Sequence, residues 1–466
     1  MSPTTVADPN TKVADQRATG MAKMNVRHET LTATTYKNNI ASNYTEIIER
    51  YDQQFDYESN RNLLWGPEEL SLFYGTPLYH ESSQAQKLAL NHLYWITQYN
   101  QTAATEANAI LYNQVTEGVF DTVGGYGILC QELSLETEQE HHHIHAFHRV
   151  GHKSRQAIFG ETSFGRPKPN LLHKKRRQPP LNNSLSLPRF DWADIQDQAS
   201  RALSRRLCSG HGMASYSSYL QALQAKGQKL PTQSSGLLGQ VVPSQFSRLL
   251  TINFGSSPFS ACFFYATRYL ANMLLKNYEH RYLTYFKQRQ QADLEIAAPT
   301  AISYYHMLDE SFHTTTSQLI SQDLYKEFNQ PTLYEQLMAN FMFYRGQEVL
   351  LSGLSGVLPA TFRNDGTFLQ PLYQILRSPI FGLDHQEALQ RLAEGVCQEH
   401  DGYHMNLKHH HRMMTTARQS FQPMHYLWDV NRNLKLMERG GSIERNLRNN
   451  RRAFETFRDA MQPLAA

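Results

Sequence analysis

The stretch Ser303–Thr316, SYYHMLDESFHTTT, decides how this chain is read. It sets His306, Glu310 and His313 four and then three residues apart. Residues at those spacings share one face of a helix. Two imidazoles therefore flank a carboxylate on one side of a single element, an arrangement suited to a metal ion.

Working outward, the preceding helical run carries Glu279 in ANMLLKNYEHRYLTYF, 31 positions before Glu310. An antiparallel helix pair with a short loop returns residues about thirty apart to the same height. The pattern recurs upstream. Glu106 lies in TAATEANAI, among small and apolar residues, and Glu138 follows 32 positions later with His141 at +3. The chain thus contains a helical Glu followed by Glu-x-x-His twice, with His306 as an additional ligand candidate. A helical glutamate is ordinarily solvated and a lone histidine ordinarily structural. Two matching copies reverse that reading, because buried carboxylates without partners are costly.

The chemistry accounts for the residue types. A pair of iron or manganese ions needs several carboxylates to offset its charge and at least one neutral imidazole per metal. Four helices supply them, two giving a Glu and two giving Glu-x-x-His. Asp309 beside Glu310 is placed to hold a ligating histidine from behind. The first half admits two registers. Glu138 and His141, with His145, form one face and are taken as the pair. Glu140 and His143 form the other, which shares its side with Leu129, Leu133, Ile144 and Phe147.

Composition bounds the rest. The chain has 466 residues, 40% hydrophobic and 11% aromatic, with a formal charge of only +3. That charge gives no reason to expect nucleic acid or a membrane surface as partner. Cys130, Cys208, Cys262 and Cys397 form no CxxC pair and read as reduced thiols. No secretory signal and no apolar run of bilayer length is visible, so a cytoplasmic location is expected. No alternating strand pattern appears, and the expected fold is all-α. Residues 1–35 read as a polar, mobile arm. Residues 36–330 read as the dimetal bundle, interrupted by a basic, proline-rich insertion around 160–245. Residues 331–466 read as a helical extension packed on the bundle.

TAATEANAI, TEQEHHHIH and HMLDESFH resemble the p-aminobenzoate N-oxygenase group of ferritin-like diiron enzymes, over roughly Leu88 to Asp323. Thr137 stands where that group carries an aspartate. The long insertion and the residues beyond the second pair also depart from it. Size and layout are more similar to the cyanobacterial dimetal-carboxylate halogenases. That resemblance implies a ferritin-like bundle with two Fe ions, or Mn or a mixed pair, using O2 and chloride. It implies chlorination of an unactivated carbon of a medium-chain fatty acyl group on an acyl carrier protein, with an external electron donor, in natural-product biosynthesis. A diiron oxygenase, hydroxylating carbon or oxidising an amine, is the alternative on the same scaffold. The ligand set is then Glu106, Glu138, His141, Glu279, His306, Glu310 and His313. With all seven present, no missing carboxylate marks a halide position.

Other features have plainer readings. LLHKKRR (Leu171–Arg177) suits a docking patch for an acidic carrier or, more simply, a solvated loop. SIERNLRNNRRAFETFRD reads as a helix packed back on the bundle, and the histidine-rich Glu399–Arg412 stretch as surface composition. Trp95, Tyr99, Phe263 and Phe264 fit an acyl tunnel or core packing equally well.

Overall fold

Ser83 opens the longest helix with a capping box, its side chain accepting from Gln86 N while the Gln86 side chain accepts from Ser83 N. The helix runs forty residues to Val123 and stops at Gly124, whose φ of 76° suits glycine. In this computed structural model, which describes residues 23–160, 192–208, 216–231 and 244–461, all regular structure is helical. The longer elements are α1 (Val26–Ala41), α2 (Tyr44–Gln54), α3 (Gln84–Val123), α4 (Gly127–Phe159), α5 (Trp192–Leu207), α6 (Ser218–Ala225) and α7 (Ser244–Phe254). They continue with α8 (Pro258–Gln291), α9 (Ala298–Gln322), α10 (Leu333–Leu350), α11 (Leu369–Arg377), α12 (His385–Cys397), α13 (Asp401–Phe421) and α14 (Ile443–Met461). The all-α expectation is met.

Two antiparallel hairpins, α3–α4 and α8–α9, build the bundle, and α3 lies against α8. On the opposite side α4 and α9 touch little, and α1 and α2 fill the seam between them. The boundary expected near residue 35 therefore falls inside α1, whose Thr32, Thr35 and Asn39 are buried. The apolar stripe is thin here, so polar residues that meet polar partners from α4 read from sequence as a loose arm. LLHKKRR and most of the 160–245 insertion lie outside the described residues.

The C-terminal helices share both hydrophobic cores with the bundle. Phe343 and Phe421 join Tyr269 in one, and Val357 and Leu392 join Tyr94 and Trp95 in the other. Trp95 and Tyr99 are fully buried, and Trp95 Nε1 donates to Ser303 Oγ at 2.8 Å. Phe263 and Phe264 belong to the first core, so packing accounts for these four aromatics. The four cysteines are unpaired thiols. No described helix is long and apolar enough to cross a membrane.

Asp365 fastens the C-terminal part together. It accepts from Gly356 N at 2.9 Å, Asn450 Nδ2 at 2.9 Å, Tyr403 Oη at 3.2 Å and the Ser355 hydroxyl. Asn450 lies on α14, which packs on α12. Asp365→Ala leaves four donors facing an apolar gap, and it is expected to destabilise the protein by about 2–4 kcal/mol. Denaturant unfolding with an unchanged midpoint would contradict this assignment.

Candidate dimetal site

Seven inward-facing side chains from the four bundle helices meet at mid-height, each at most 3% exposed. Glu106 comes from α3, Glu140 and His143 from α4, Glu279 from α8, and His306, Glu310 and His313 from α9. Five of the residues expected from the sequence are among them. Glu138 and His141 are not: both lie exposed on the outer face of α4. This corrects the chosen register. Two positions turn a helix by about 200°, and the apolar line through Leu129, Leu133 and Phe147, all buried, carries Glu140 and His143 inward with it.

His306 sits between two carboxylates, with Nε2 2.9 Å from Glu106 Oε1 and Nδ1 2.7 Å from Glu279 Oε1. His313 Nδ1 is 2.8 Å from Glu310 Oε1 and 3.4 Å from Glu140 Oε1. Its Nε2 faces Gln139 Oε1 at 3.0 Å. His143 Nε2 donates to Asp309 Oδ2 at 2.8 Å, which leaves Nδ1 without a hydrogen-bond partner, 3.7 Å from Glu140 and 3.9 Å from Glu310. Asp309 thus holds a histidine from behind, as its place in the sequence implies. Thr45 of α2 and Gln139 donate to Asp309 in turn, and Asn39 of α1 donates to Gln139.

Sequence reasoning missed Gln139, Thr45 and Asn39 in this network, and with them a buried arginine. Arg268 on α8 is buried and reaches Glu140 at 2.8 Å, Glu136 at 2.5 Å and Asn113 Oδ1 at 2.7 Å. The signals were available: an arginine inside the apolar run FFYATRYLANM, and Glu136 one turn before Glu140. Breaking such a clamp leaves carboxylates without compensation. Arg268→Met is therefore expected to cost about 3–5 kcal/mol, read by chemical unfolding.

The electrostatics are lopsided. Five carboxylates (Glu106, Glu140, Glu279, Asp309, Glu310) and Glu136 are buried around one guanidinium and three imidazoles. Burial pushes Glu106 up to about 7 despite its bond to His306. Burial also works against a charged His143, but Asp309 and Glu140 raise its pKa to about 9. Burial would raise Glu140, yet His143, His313 and Arg268 hold it well below the usual carboxylate range. His306 and His313 are likewise raised by their glutamates against the effect of burial. Even so, Oε2 of Glu106, Glu140 and Glu279 has no hydrogen-bond partner among the described residues. Cations would satisfy those oxygens and displace the imidazole protons.

Two subsets have ligand atoms within 4.8 Å of one another: Glu106, His143, His306 and Glu310, and Glu140, Glu310 and His313. Glu310 belongs to both. Oxygen and imidazole donors in two adjoining groups that share a carboxylate fit a pair of transition-metal ions.

The family model described as acyl halogenase CylC-like matches residues 27–458. The chain belongs to the CylC-like acyl halogenase family. That family chlorinates acyl chains in natural-product biosynthesis, so the halogenase resemblance drawn from size and layout is borne out. No curated protein and no solved structure matches the chain.

The register can be checked directly. The double variant Glu138→Ala with His141→Ala is expected to keep its full metal content, whereas Glu140→Ala or His143→Ala loses metal. Elemental analysis after iron loading decides it, and the reverse pattern would restore the register first chosen.

Proposed function

We propose that this member of the family is an oxygen-dependent dimetal halogenase that places chlorine on an unactivated carbon of a fatty acyl chain presented by an acyl carrier protein. Glu106, Glu140, His143, Glu279, His306, Glu310 and His313 would hold the metals in this reading, Glu310 being a member of both candidate groups. The supporting observation is the excess of buried carboxylates with unpartnered oxygens beside a histidine whose free Nδ1 faces the same space. Two iron ions fit the oxygen and nitrogen donors, and manganese or a mixed pair fits the same set. When bound, the metals supply dioxygen activation and the redox chemistry of chlorine transfer, with electrons from an external donor.

The protein's own residues position and enclose. Asp309 accepts the Nε2 proton of His143 and fixes its tautomer, so that Nδ1 is the ligating nitrogen. Gln139 does the same for His313. Arg268 keeps Glu140 ionised and limits its swing. Phe147 and Tyr99 pack edge-on to His306, with centroids at 4.9 and 6.1 Å, and exclude water from that side.

The test is on products. A medium-chain acyl group on a carrier protein is mixed with iron-loaded enzyme, reductant and oxygen, and its mass is read with and without chloride. A chlorine isotope pattern that requires chloride is the expected result. An oxygen-sized addition indifferent to chloride would replace this reading with the oxygenase one. Glu310→Ala is expected to lose metal and product together, and unchanged two-metal occupancy in that variant would sink the ligand assignment.

A further inference from the structure

The bundle face formed by α8 and α9 is crossed by α13, and between them lies an open groove of about 920 Å³. His409 of α13 meets Asn277 of α8 at 2.8 Å and closes one wall. The histidine-rich stretch is thus more than surface composition. His410 is buried, while Lys408 and Arg412 are exposed and line the groove.

Two properties of the groove go together. It is cationic: Lys276, Arg281, Lys408 and Arg412 line it, against a single acid, Glu69. Glu69 is engaged by Arg281 at 2.7 Å, and the other three cations make no ion pair among the described residues. It is also apolar between its charges, with four methionines in its lining. Methionine gives an adaptable surface for a flexible chain.

The groove also adjoins the dimetal site. Lys276 lies three residues before Glu279 and Met307 three before Glu310, spacings that share a helix face. Lys276 is within electrostatic reach of both glutamates. A smaller cavity of about 160 Å³ lies against the next turn, past Thr102 and Tyr278, but it holds one cation, Arg363.

We infer that this groove is the docking site for the phosphopantetheine arm of an acidic acyl carrier protein, with Lys408 and Arg412 binding its phosphodiester and the methionine-lined floor leading the thioester-borne chain toward Glu279 and Glu310. The inference rests on the proposed function. The charge sign selects an anion, the apolar floor selects a chain attached to it, and the adjoining carboxylates give that chain a destination. Exposed cations at a rim act mainly on encounter and affinity, so the chemical step does not depend on them.

The test compares metal-loaded wild-type enzyme with Lys408→Glu/Arg412→Glu. Turnover is measured on one acyl chain in three forms: carrier-bound, as the coenzyme A thioester, and as the pantetheine thioester, which lacks phosphate. Calorimetry measures binding of phosphopantetheine and of pantetheine. The expected result is a rise in KM of about tenfold or more on the carrier-bound form, with kcat and the pantetheine thioester unaffected. Added salt should move the wild type toward the variant. An equal effect on all three forms, or none, overturns the groove. Preference for the coenzyme A thioester overturns the carrier as its occupant. If wild type turns over none of the three, the proposed function falls. The groove then stands if phosphopantetheine binding is lost in the variant, and falls if binding is unchanged.

Discussion

Burying five carboxylates at one point is the constraint on which the rest of the structure turns. Carboxylates in a protein interior are tolerated only with opposite charge or dense hydrogen bonding. Each part of the bundle contributes to meeting that condition. Arg268 neutralises from α8, Asp309 and Gln139 orient imidazoles from α9 and α4, and Thr45 and Asn39 secure those two in turn. The charge left over is of the sign that metal ions could offset. The site is therefore as much a cause of the packing as a product of it, since hairpins displaced by a turn would strand its carboxylates.

Much of this was legible in the sequence, for a geometric reason. Inward-facing side chains at helical spacing, on helices joined by short loops, leave a regular trace, and Glu106, Glu279, His306, Glu310 and His313, which the structure brings together, were picked out by it. The register of α4 was harder because EQEHHHIH offers an acid and a histidine on both faces. Only the flanking apolar residues distinguish the faces, and Leu129, Leu133 and Phe147 favoured the one that the structure buries. Glu132 and Glu136, also buried, continue that face upstream.

What the sequence hid was mostly supplied from a distance. Nothing near Asn39 or Thr45 marks them as partners of residues a hundred or more positions away, and helices this polar look peripheral until the seam they cover is known. The groove likewise belongs to no single stretch. Its cations come from α8 and α13, and the histidine-rich composition of α13 drew notice to the wrong side chains. Lys408 and Arg412 stand out only once that helix is seen lying across the bundle.

The wide separation of the two hairpins also has a temporal meaning. Glu140 precedes its arginine by 128 residues, and Glu106 precedes His306 by 200. At about 5–20 residues per second, the first hairpin has its Glu140 in place in the chain roughly 6–26 s before Arg268 is made. During that interval its carboxylates have no counter-charge from the second hairpin, and their hydration opposes burying that face. The nascent first half is thereby kept wet along the surface that must later close, so order of synthesis protects a half-built core from collapsing early.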